Sequence, residues 1–132
     1  MRQTLQPPAW ARPKGFANGI AATGRLVFIA GQVGWTGQGE WKERSFAGQF
    51  RQALQNIIAV LEEANGKPEH LVRLTWYVLD KKEYLASLKE VGAAYRELMG
   101  RHYPTMAVVQ VSGLVEDEAR LEIEATAVVP EK

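Results

Sequence analysis

The sequence predicts an α+β fold: a two-layer sandwich in which two helices cover one face of a mixed β-sheet. Three observations carry this. Two long stretches repeat apolar residues at helical spacing. Several shorter stretches alternate them with period two. Glycines, prolines and Ser/Asp caps punctuate the joints between them. The element order is β-β-α-β-α-β-β. A chain of 132 residues is long enough for one domain, expected over 1–132, with an extended N-terminal arm at 1–15.

The arm holds Pro7, Pro8 and Pro13, with Trp10 between them. An indole on a free arm leaves apolar surface in water, so Trp10 is expected to dock on the body or on a neighbouring subunit. Phe16 to Ala22 reads as a short strand. Arg25 to Ala30 is a second, rich in β-formers. Gly31 at its end permits a bulge or a close approach of backbone to a ligand, and equally serves as a plain terminator. The glycines of Gly34–Gly39 precede no phosphate-binding helix and no Gly-Lys-Ser/Thr follows, which excludes a nucleotide loop.

Ser45 caps the first helix, whose stripe is Phe46, Phe50, Ala53, Leu54, Ile57, Ile58 and Leu61. Asn65-Gly66 ends it in a left-handed turn, and Pro68 forbids continuation. Leu71 to Leu79 is a strand with Val72, Leu74, Trp76 and Val78 on one face, and Arg73, Thr75 and Tyr77 on the other. Asp80, with Glu83 three residues on, opens a second helix in a capping-box pattern. Tyr84, Leu88, Val91, Tyr95 and Leu98 form its stripe, and Gly100 ends it.

The last third, Tyr103 to Val129, reads as an antiparallel hairpin. Thr105, Ala107, Val109 and Val111 of the first strand, with Leu121, Ile123, Ala125 and Ala127 of the second, make a small apolar face for the helices. The opposite face is expected to carry Met106, Val108, Gln110, Glu122 and Glu124. A carboxylate among apolar neighbours is a candidate site; a solvated face with ordinary glutamates is the plain alternative. Because two helices cover only one side of the sheet, the other side, expected to show Val27, Ile29, Thr75, Tyr77, Met106, Val108 and Val128, needs a partner. The simplest is an oligomer whose sheets meet, with Glu122 sheltered in clefts between subunits.

Composition excludes several functions. The net charge of +1 offers no field for nucleic acid or for a membrane surface. No apolar run approaches the ~20 residues of a membrane span. There are no cysteines and only two histidines, His70 and His102, so thiolate chemistry, disulfides and a His-rich metal site are not expected. No signal-peptide pattern opens the sequence, and a cytoplasmic protein without cofactors is expected.

The chain resembles the Rid family, the YjgF/YER057c/UK114 proteins, over nearly its whole length. The matching stretches are Gly15-Phe16-Ala17-Asn18-Gly19-Ile20, Leu26 to Val33, Tyr77-Val78-Leu79-Asp80, Tyr103-Pro104-Thr105 and Leu121-Glu122-Ile123-Glu124-Ala125. The resemblance implies a chorismate-mutase-like fold and a homotrimer with three ligand clefts between subunits. It also implies hydrolysis of enamines and imines to 2-oxo acids and ammonia in the best-studied branch. There an arginine after the Pro-Thr or Pro-Ala pair grips a carboxylate, a glutamate of the last strand handles water, and a tyrosine and a glycine line the cleft. Gly31 and Glu122 match. Phe16 stands at the tyrosine position, Met106 at the arginine position and Gly92 at that of a helix asparagine.

Glu122 is thus the candidate catalytic residue, and Phe16, Gly31, Met106 and Val108 are candidate substrate contacts. Replacing a bidentate guanidinium by a thioether removes about 1.5–3 kcal/mol of carboxylate binding. Two functions follow. One is a trimeric hydrolase of imine- or enamine-type metabolites other than classical 2-imino acids, with Arg25, Arg73 or Arg101 as substitute cations. The other is a non-catalytic metabolite-binding or protective protein. RNA cleavage, known within the family, has no basic cluster to support it here.

Overall fold

The computed structural model describes residues 1–131. It contains β1 (Arg2–Leu5), β2 (Gly19–Ala22), β3 (Arg25–Gln32), α1 (Phe46–Glu62), a 3₁₀ turn (Pro68–His70), β4 (Leu71–Val78), α2 (Lys81–Ala86), α3 (Leu88–Met99), β5 (Thr105–Gln110) and β6 (Leu121–Val129). The main sheet has the order β3-β6-β4-β5. β6 runs antiparallel to both β3 and β4, whereas β4 and β5 are parallel, joined by the helical crossover. The fold is therefore α+β with a mixed sheet, as the sequence predicts.

α1 forms where its stripe falls. The Ser45 hydroxyl accepts from the Gly48 amide at 3.0 Å, and Phe46, Phe50, Ala53, Leu54, Ile57 and Leu61 are buried on the sheet. Asn65 takes the left-handed conformation, φ 59°. The Gly66 amide donates back to the Leu61 carbonyl at 3.1 Å, which satisfies the helix end. Phe50 stacks on Trp76 with ring centroids 4.8 Å apart, tying α1 to the middle of β4.

The second helix is two. Ser87 interrupts it at φ −102°, ψ 5°, with its hydroxyl bonded back to the Glu83 carbonyl at 2.8 Å, a local competitor to the helical ladder. The break rephases the stripe, so Val91, Ala94, Tyr95 and Met99 are buried while Leu88 is exposed. The capping box at its start is also incomplete. Asp80 accepts from the Lys82 amide at 2.9 Å, but Glu83 turns to Arg120 instead, with its two carboxylate oxygens 3.0 and 2.9 Å from one guanidinium nitrogen.

One further expectation is corrected. β5 and β6 do not form a hairpin, because β4 lies between them. They are linked by residues 111–120, long enough to pass the end of β4. Period-two alternation fixes a strand's faces but not its neighbour. The N-terminal segment starts as an extended strand tied to the body: β1 pairs antiparallel with β2, Arg2 opposite Ala22 and Leu5 opposite Gly19. Trp10, in the turn between them, is 61% exposed and does not dock on the chain's own body.

The faces also differ from those expected. Met106 pairs with Leu74 and Val108 with Trp76, and both pack against the helix-side core. Val27 packs there too, and Ile29 is buried in it. The uncovered face holds Thr75, Tyr77, Glu122, Glu124 and Val128 as expected, and Leu26, Phe28 and Val109 in place of the residues that moved. The shared face expected for Met106, Val108 and Glu122 does not exist in the chain.

Candidate functional site

The uncovered sheet face holds the only carboxylates of β6, Glu122 and Glu124. Glu122 lies opposite Tyr77 on β4 and beside Gly31 at the end of β3. The register between β3 and β6 shifts between Ile29 and Gln32, so Gly31 sits in a bulge. A Cβ on Gly31 would lie 2.0 Å from Glu122 Oε2. The missing side chain is the space the carboxylate occupies. Gly31 is thus both a bulge residue and a close-approach residue, with Glu122 as the group approached.

Glu122 is half-buried. Among the described residues it enters no hydrogen bond or ion pair within the chain. Its neighbour Glu124 is engaged: the Tyr77 hydroxyl donates to Glu124 Oε1 at 2.5 Å. That bond holds the Tyr77 phenol above its ordinary range, followed in importance by desolvation and by the charges of Glu124 and Glu122. The pair leaves Glu122 as the carboxylate free to act on a ligand, with a neutral phenol opposite it. The sequence did not single out this tyrosine, although its place on the open face of β4 was legible; the register to Glu124 was not. Around the carboxylates the face is mixed and open: Tyr77, Thr75 and Thr126 flank them, and Phe28 and Leu26, 75% and 63% exposed, lie further along toward the other end of β6.

Phe16 is elsewhere. The adjacent Ala17 forms a parallel bridge to Thr105 at the start of β5, and its amide donates to the Pro104 carbonyl at 3.0 Å. Thr105 is level with Arg73 on β4, whereas Glu122 is level with Tyr77. Four residues along a strand span roughly 13 Å, and three strand spacings about 14 Å. No small molecule touches Phe16 and Glu122 of one chain together. Phe16 instead lines a cavity of about 350 Å³ with Arg101, Arg2, Arg12 and Tyr103. Gly92 lies on α3 beside Arg96, in the helix layer.

Of the three substitute cations, Arg25 is committed to the Ala64 carbonyl at 2.7 Å. Arg73 stands on the open face, level with Thr105 and Thr126. Arg101 is the one brought to a predicted contact, Phe16. Among the described residues no cluster of His, Cys, Asp or Glu could hold a metal ion, and no helix is long and apolar enough to cross a membrane.

Comparison with known proteins fits this architecture. The family model described as Endoribonuclease L-PSP matches residues 9–129. The chain belongs to this family, the Rid or YjgF proteins. A RutC family protein of Pyrococcus horikoshii is 34% identical over 96% of this chain and 98% of its own length. The 2-iminobutanoate/2-iminopropanoate deaminase of Escherichia coli is 30% identical over 80% of each chain. The crystal structure of the Rid family protein YyfB from Yersinia pestis superposes with a TM-score of 0.86 at 30% identity, covering 97% of this chain and 98% of that one. Rid membership thus covers the sheet, the helices and both candidate regions, the Gly31–Glu122 gap and the Phe16 cavity.

Proposed function

We propose that the chain assembles as a homotrimer whose subunits meet through the uncovered sheet face, leaving small-molecule clefts between them. Glu122 of one subunit directs water onto the C=N carbon of an imine, or of an enamine after tautomerisation. The carboxylate takes a proton from water as the oxygen bonds to the carbon of the protonated C=N, giving a neutral carbinolamine. It returns that proton to nitrogen and then takes the hydroxyl proton as C=O forms and the C–N bond breaks, so that ammonia and a carbonyl compound leave and the proton the iminium brought passes to solvent. The observation that carries the reading is the Glu122 carboxylate, unpaired among the described residues, in the gap left by Gly31 on a sheet face that no described element covers. The deaminase name of the Escherichia coli relative supports the reaction class. A net charge of +1 and a compact cavity favour a small molecule over RNA, whatever the family model's description.

In this reading Gly31 shapes one wall and Phe16 belongs to the wall supplied by a second subunit, since one chain keeps it far from Glu122. Met106 and Val108 support β5 from the helix side and would enter the cleft only at its margin. Position 106 supplies no cation, so the substrate is not gripped as a classical 2-imino acid would be. The reaction needs no cofactor, and a cytoplasmic setting suits its substrates. Turnover of a panel of imines, generated in situ and followed as ammonia release, tests this. Wild-type protein is expected to accelerate decay of at least one imine, and Glu122→Gln to lose ~100-fold or more. Equal turnover by the variant removes Glu122 from the chemistry.

A second reading, a non-catalytic metabolite binder on the same trimer, is favoured by one observation. Among the described residues no side chain bonds to the Glu122 carboxylate to hold it in one orientation. Ligand-dependent thermal stabilisation without ammonia release would select it.

A further inference from the structure

The cavity beside Phe16 gathers Arg2, Arg12 and Arg101 without a lining acid. The ion pairs among the described residues are Arg44–Glu118, Arg51–Glu97 and Arg120–Glu83, so none of the three cavity arginines is neutralised. In a chain of net charge +1 this is a local concentration of positive charge, with counter-ions elsewhere. The same cavity has apolar lining residues: Phe16, 38% exposed, Pro13 and Tyr103. Tyr103 is held flat against Tyr95, with centroids 5.4 Å and planes 7° apart.

The site is built rather than accidental. Asn18 Nδ2 donates to Gln6 Oε1 at 2.9 Å, and Gln6 Nε2 donates to the Trp10 and Ala11 carbonyls at 3.3 and 3.2 Å. This bridging glutamine fixes the loop that carries Arg12 and Pro13. The β1–β2 ladder fixes Arg2, whose guanidinium donates to the Leu71 carbonyl at 3.3 Å. The Ala17–Pro104 hydrogen bond fixes Phe16 against the start of β5. Guanidinium groups present forked donors that match a carboxylate, and the cavity's size is at the small end of ligand sites, which run from about 300 to 1,000 Å³.

We infer that this cavity binds small organic carboxylates, with the carboxylate held by Arg12 and Arg101 and the ligand's apolar body against Phe16 and Tyr103. Arg2, already bonded to the backbone, adds charge from the rear. This places the anion grip on the N-terminal segment and the Gly100 turn rather than at position 106. It shares Phe16 with the cleft proposed above and rests on that reading only for what becomes of the ligand; binding is a property of the cavity and is read without turnover.

The test uses the full-length protein with benzoate as probe and benzamide as its neutral isostere, followed by calorimetry and backbone NMR. Benzoate is expected to perturb the amides of Phe16, Ala17 and Tyr103, to bind at least tenfold more tightly than benzamide, and to weaken as salt rises. Arg12→Gln/Arg101→Gln, both at exposed positions, is expected to keep the wild-type circular dichroism and to lose at least tenfold in benzoate affinity. Equal affinity for the two probes overturns the inference, as does unchanged binding in the double variant or perturbation confined to other residues. Loss of turnover in Glu122→Gln and loss of benzoate binding in the arginine variant are separate readouts, so either proposal can fail alone.

Discussion

Gly31 and Glu122 occupy one space: the position a Cβ would take on Gly31 is 2.0 Å from the Glu122 carboxylate oxygen. The glycine is needed where the backbone of β3 bulges past β6, and its φ is not what demands it. Gly31→Ala must therefore push the carboxylate aside. The end of a glutamate side chain moves easily, so stability should change by less than about 1 kcal/mol. Turnover or ligand binding that depends on the placement of Glu122 should fall roughly 10- to 100-fold. Thermal melts beside kinetic or binding measurements on Gly31→Ala check both halves.

Tyr77 and Tyr95 make stability fall at high pH. Both phenols are held above their ordinary 10.0, Tyr77 first by its hydrogen bond to Glu124 and Tyr95 first by burial. The unfolded chain releases these protons near pH 10, before the folded one does. Between those points the native state binds more protons, so the stabilisation present below pH 10 is lost as pH rises through the folded values. Urea unfolding at stepwise higher pH should show that loss. In an ultraviolet phenolate titration, Glu124→Gln should bring the Tyr77 transition down, with Tyr77→Phe identifying which transition it is.

Phe28 and Leu26 stand in water on the uncovered face, 75% and 63% exposed. An assembly through that face buries them, and a charge there leaves an unpaired ion in the contact. Leu26→Glu/Phe28→Glu should convert the trimer to monomer in light scattering while leaving the helix signal intact. A monomeric wild-type protein would remove the cleft itself.

Arg120 ties three segments together. Its guanidinium meets both oxygens of Glu83 and donates to the Arg44 carbonyl at 2.5 Å, while its amide donates to the buried Gln49 side chain at 2.8 Å. The side chain is 46% exposed, so solvent screens the ion pair. Arg120→Ala should cost about 1 kcal/mol in urea unfolding, and part of that loss should vanish at high salt, where the Glu83 contact is already weak.

Much of the fold is written in local patterns. The Ser45 cap, the α1 stripe and the Asn65 turn are each fixed by residues close in sequence, and each stands where the pattern puts it; β4 follows its pattern from Arg73 on, but a bulge before it makes Leu71 rather than Val72 the core residue. The neighbour relations are not local. Nothing in the alternation of β5 and β6 says that β4 lies between them, nor which of the two faces of β5 meets the helices, and the structure puts Met106 and Val108 on the helix side, away from Glu122. The Ser87 break was hidden because a serine within an apolar stripe still permits a continuous helix. Gly31 and Glu122 were legible as candidates through the family resemblance. Their contact needed the register, and so did the gathering of Arg2, Arg12 and Arg101 around Phe16 from segments far apart in the chain.

The claim that the site is shared between two subunits can be tested by complementation. Glu122→Gln and Phe16→Glu, each expected to be inactive toward the imine that the wild type hydrolyses, are unfolded together in equal amounts and refolded. With random assortment in closed trimers, about a quarter of the clefts combine an intact Glu122 with an intact Phe16 from the adjacent subunit. The account predicts recovery of ammonia release to roughly that fraction of wild type. Activity no higher than the average of the two separately refolded parents would contradict it.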